Sequence, residues 1–103
     1  MSGVTVDARL HHVLAASARA AGADLAVVRS DATRWASATF NGARHALELA
    51  GTASEATERW LADLPDAELA VKGHLVADLK IVAMTQAGDA LSVTLEALTV
   101  EDA

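Results

Sequence analysis

Arg34-Trp35-Ala36-Ser37-Ala38-Thr39-Phe40-Asn41-Gly42-Ala43-Arg44-His45-Ala46-Leu47-Glu48-Leu49 reads as two extended runs around an Asn-Gly dipeptide. Asn-Gly is the strongest short hairpin signal, because both residues tolerate the positive φ that a tight two-residue turn requires. A turn at Asn41-Gly42 sets Phe40 opposite Ala43, Ala38 opposite His45, Ala36 opposite Leu47 and Arg34 opposite Leu49. Side chains alternate along a strand, so Ala36, Ala38, Phe40, Ala43, His45, Leu47 and Leu49 share one face, the apolar one. Trp35, Ser37, Thr39, Arg44, Ala46 and Glu48 fall on the other, which is mostly wet.

Upstream of this hairpin, Val6, Leu10, Val13, Leu14 and Ser17 are spaced by four, three, one and three residues, which paints one face of a helix over residues 6–21. Thr5 is placed to cap its start, and Gly22 stands where a left-handed C-terminal cap belongs. Downstream, Thr52-Ala53-Ser54-Glu55 has the form of a capping box, and Ala53, Ala56, Trp60, Leu61 and Leu64 line a second helix over 52–64 that Pro65 ends. A further extended run from Glu68 to Thr85, kinked at Gly73, returns over Ala90 to Val100. An Ala87-Gly88-Asp89 loop sets Lys80 opposite Glu96, Ile81 opposite Leu95 and Ala83 opposite Val93. The order is helix-hairpin-helix-hairpin, and the expected fold is α+β: one domain over residues 1–103, with two helices on one face of a four- to six-stranded antiparallel sheet. Ala23 to Val27 and Ala67 to Val71 match 44 residues apart, whereas the helical faces match at 47. A shared order of elements is therefore firmer than a shared ancestry.

The composition excludes several classes of function. The chain has 103 residues with 8 basic and 14 acidic side chains, a net charge of −6, and no run of Lys or Arg. Nucleic acid and anionic membrane surfaces would be repelled. With no cysteine there is no disulfide, thiolate site or thiol nucleophile, and no segment has transmembrane length without charge. A cytoplasmic setting is the expectation. Hydrophobic residues make up 52% but aromatics only 3%, so Trp35, Phe40 and Trp60 are expected to supply much of the core volume.

Each glycine has a structural position, and no phosphate-cradling pattern is present. His11 and His12 diverge by about 100° on a helix and cannot share an ion, and Asp7 with His11 is an ordinary solvated helix pair. No metal site, cofactor or catalytic constellation is supported. His45, set among Phe40, Ala38 and Leu47 with Arg34 on the same face, is the candidate polar group of a ligand pocket between sheet and helices; its plainer role is a packed imidazole with a partner. In the second hairpin the core face is Leu79, Ile81, Ala83, Leu91, Val93 and Leu95, yet Val76, Val82, Met84, Leu98 and Val100 crowd the other. A sheet face without helices should alternate to polar, so Val82, Met84, Leu98 and Val100 mark an interface. The expected function is a non-enzymatic homodimerising or protein-interaction module. The alternative is a small-molecule-binding protein or enzyme using His45 and Arg34.

Overall fold

The computed structural model describes residues 5–102. Helix α1 (Val6–Ala21) is followed by strands β1 (Leu25–Ala36) and β2 (Asn41–Thr52), helix α2 (Glu55–Asp63) with a 3-10 turn over Leu64–Asp66, and strands β3 (His74–Ala87) and β4 (Ala90–Glu101). The four strands form one antiparallel sheet in the order β1-β2-β4-β3. The second strand of each hairpin is thus central and the first lies at an edge, with both helices on one face. The fold class is the one the sequence implies, with four strands.

Helix α1 has the predicted bounds for the predicted reasons. The Thr5 hydroxyl accepts from the Ala8 amide, and Gly22 closes the helix at φ 75°. Helix α2 begins later than expected, because Ser54 and not Thr52 is its cap: the Ser54 hydroxyl accepts from the Thr57 amide. Thr52 is still paired in β2, so the capping box does not form. Pro65 sits inside the closing 3-10 turn, where its fixed φ is accommodated.

The first hairpin turns three residues earlier than Asn-Gly implies. Ala36 pairs with Asn41, and Ser37 to Phe40 make the turn. The Ser37 hydroxyl accepts from the amides of Thr39 and Phe40, while the Ser37 amide donates to the Phe40 carbonyl, a serine turn that takes precedence over Asn-Gly. His45 therefore faces Ala32 rather than Ala38, and Arg34 faces Ala43. The shift is six positions, an even number, so Ala43, His45, Leu47 and Leu49 still point at the helices. Gly42 has no positive φ; a Cβ there would strike the Thr99 carbonyl and the Trp35 ring.

The second hairpin also differs in detail. Ala87 pairs with Ala90, so the loop is Gly88-Asp89, and a bulge at Val82 restores Lys80 opposite Glu96 and Ile81 opposite Leu95. Beyond the bulge Ala83 pairs with Thr94 and Met84 with Val93, so Ala83 leaves the core face and Met84 joins it. Val76, opposite Thr99, is likewise on the helix side.

The core is built from Leu10, Leu14 and Ala18 of α1, Trp60, Leu61 and Leu64 near α2, and Leu25, Leu47, Leu49, Leu79, Leu91, Val93 and Leu95 of the sheet. Of the three aromatic residues only Trp60 belongs to it, with its indole N–H donating to the Ser17 hydroxyl at 3.0 Å. Aliphatic residues, leucine above all, supply the volume expected of the aromatics.

The two α-β-β halves correspond in sequence at a spacing of 49 through the helix start and the edge strand, and at 50 in the central strand, where His45 corresponds to Leu95. Caps Thr5 and Ser54, helix starts Val6 and Glu55, edge-strand starts Leu25 and His74, and bulged residues Val28 and Ala77 are each 49 residues apart.

Candidate functional site

The first turn of α1 lies over the C-terminal half of β1 and the N-terminal half of β2, and there the interior turns polar. His45 Nδ1 is 2.8 Å from Asp7 Oδ1, and the Ser30 hydroxyl donates to Asp7 Oδ2 at 2.7 Å. His45 Nε2 is 2.8 Å from the Thr99 hydroxyl, which also lies 3.4 Å from the Ala43 carbonyl. Nδ1–H donated to the carboxylate leaves Nε2 to accept the Thr99 proton. A doubly protonated ring is also accommodated, since Thr99 then accepts and turns its own proton to Ala43. Every polar atom of the ring is satisfied in either state.

Asp, His and Thr in a hydrogen-bonded row are the parts of a nucleophilic relay, but the histidine and the threonine that would do the chemistry are sealed from solvent. His45 is 2% exposed and Thr99 0%. A nucleophile needs open space beside its oxygen, so the row acts as a clamp that ties α1 to the centre of the sheet. His45 thus takes the plainer role, a packed imidazole with two partners. The carboxylate that completes it, Asp7, escapes a reading based on helix neighbours because its partner lies 38 positions away.

Arg34 is not joined to His45. It opens onto a separate cavity of about 380 Å³ at the end of the sheet, lined also by Val6, Asp7, Ala32, Ala43, His74 and Glu101. Asp7 is shared: it takes part in the clamp and in the cavity wall. Among the described residues no group of acids and histidines is arranged to hold a metal ion, and no helix is long and apolar enough to cross a membrane.

The four residues expected to form an apolar strip do not share a face. Leu98 and Val100 are on the face away from the helices, opposite Arg44 and Gly42. Met84 is on the helix side, and Val82 sits in the bulge toward the far end of the sheet. The structure supplies other neighbours for Leu98 and Val100. Trp35, Gly42, Val100 and Leu75 are consecutive cross-strand partners and make one row across all four strands. Phe40 joins the row from the turn, and it lines a groove of about 430 Å³ with Leu75 and Val100. Phe40 is 55% and Leu75 58% exposed. The sequence holds a signal for this row, two of only three aromatics close to the first turn, but an Asn-Gly turn places Phe40 on the core face instead.

No protein-family model, curated protein or solved structure matches this chain.

Proposed function

We propose that this chain is a non-enzymatic interaction module that forms a homodimer through the open face of its sheet, centred on the row Trp35, Val100 and Leu75 with Phe40 and Leu98. The observation that carries this reading is the disposition of the aromatics. In a chain with one Phe and two Trp, Phe40 and Trp35 are spent on the uncovered face. Large aromatic and aliphatic side chains grouped on an open surface are what anchors protein interfaces.

A second copy is the partner that charge favours. The rest of the open face carries Arg29, Arg44 and Lys80 against Asp31, Glu48, Asp78 and Glu96, so it holds only one of the six net negative charges. Two acidic chains meet there with least repulsion. Arg29 with Glu48 at 3.9 Å and Lys80 with Glu96 at 3.7 Å are exposed pairs, free to exchange partners across a two-fold contact at little cost. A cytoplasmic setting fits a cysteine-free chain whose described helices do not span a membrane.

Light scattering at micromolar concentration is expected to give twice the chain mass. Val100→Asp is expected to give the monomer mass with an unchanged circular dichroism spectrum, and Val82→Asp to leave the dimer intact. A monomer mass for the unaltered chain, or a dimer that survives Val100→Asp, defeats the reading.

A further inference from the structure

The cavity at Arg34 stands apart from the open face, and three observations bear on what it takes. The first is its charge. Arg34 and Glu101 both line it, and neither forms an ion pair with any described residue. Both side chains are exposed, so each is free to make a charge-assisted hydrogen bond to a group that enters the cavity. The second is its size and lining. About 380 Å³ is within the range of small-molecule sites, and the lining sets the apolar Val6, Ala32, Gly42 and Ala43 beside the polar Thr5, Asp7, Arg34, His74 and Glu101.

The third is the rigidity of its wall. Asp7 on the first turn of α1 is held by His45 and Ser30, and His45 in turn by Thr99. The fold does not require this clamp. The residues at the same places in the other half are Ala56 for Asp7, Leu79 for Ser30, Leu95 for His45 and Leu49 for Thr99, and none is polar. At these four positions a buried polar network stands in one half alone, and it holds Asp7 in place in the cavity wall.

We propose that this cavity binds a small dipolar molecule bearing a carboxylate and a protonated amine, with the carboxylate at Arg34 and the amine at Glu101.

Backbone amide NMR titration at millimolar concentration tests this, with glycine, γ-aminobutyrate and glycylglycine as dipolar probes that span a range of charge separation. Acetate and ethylammonium serve as single-charge controls. At least one dipolar probe is expected to shift the amides of Val6, Ala32 and Ala43 saturably, with both controls weaker by about tenfold or more. Arg34→Gln and Glu101→Gln change exposed side chains and are each expected to remove the saturation while the remaining spectrum is retained. Failure of all three dipolar probes to saturate overturns the proposal. So does acetate binding as tightly as the best of them, or binding that survives both substitutions.

Discussion

The two halves of this molecule have one plan and two kinds of interior. Where Ala32 and His45 face each other in the first hairpin, Ile81 and Leu95 face each other in the second, and the helix above supplies Asp7 in one case and Ala56 in the other. Both solutions fill the space between helix and sheet. They differ in what they demand. Leucine against alanine tolerates adjustment, whereas a carboxylate with two donors and an imidazole with two partners admit one arrangement. The apolar half shows what folding needs, and the polar half shows an added requirement for position.

The harshest way to break the comparison is to force one solution on the other half. Leu95→His puts an imidazole at a position 0% exposed, where the equivalent of Asp7 is Ala56. The cost is expected to be about 3 kcal/mol or more, from a buried polar ring without partners together with lost leucine packing. Urea unfolding at fixed chain concentration measures it. A loss below about 1 kcal/mol would show that the second half can satisfy a histidine after all, and the contrast between the halves would fail.

The reverse exchange is milder and more informative. His45→Leu leaves Asp7 with Ser30 alone and Thr99 with only a long contact to Ala43, an expected loss of about 2 kcal/mol from unpaired buried groups. Replacing the partners as well, in Asp7→Ala, His45→Leu, Thr99→Val, gives the first half the chemistry of the second and is expected to recover most of that loss. If the three changes add instead of compensating, the clamp is not a coupled unit.

The same contrast explains what could be read beforehand. Helix α1 was legible to the residue because its apolar spacing, its threonine cap and its terminal glycine agree. The core faces of β2 and β4 were legible because alternation survives any even shift of register, and the shift in the first hairpin was six. The turn was not legible, since Ser37 and Asn41-Gly42 are rival turn formers and only the bonds to Thr39 and Phe40 decide between them. Nor was the bulge at Val82, which reverses every side chain of β3 beyond it and so moved Met84 off the open face. In the site, His45 could be singled out because a histidine on an apolar strand face is conspicuous. Asp7 could not, because its nearest basic neighbour in sequence is on its own helix and its real partner is across the core. The 49-residue spacing was hidden because helix faces and strand motifs drift around it, whereas caps and bulges keep it.

The smallest expected effect lies at the two helix caps, the most similar pair of sites in the halves. Thr5 and Ser54 each accept from the amide three residues on, both at 3.1 Å. Losing that bond through Thr5→Ala should cost about 1 kcal/mol. Ser54→Ala should cost more than Thr5→Ala, because the Ser54 hydroxyl also donates to the Thr57 hydroxyl at 2.9 Å, and Thr57 is buried among Asp24, Thr52 and α2. Thr57 keeps the Asp24 amide and the Thr52 carbonyl after the change, which bounds the excess at about 1 kcal/mol. Urea unfolding of both variants ranks them. Equal costs would mean that the Thr57 knot contributes nothing beyond the cap, and the first half would then be the only one with a polar network that matters to its stability.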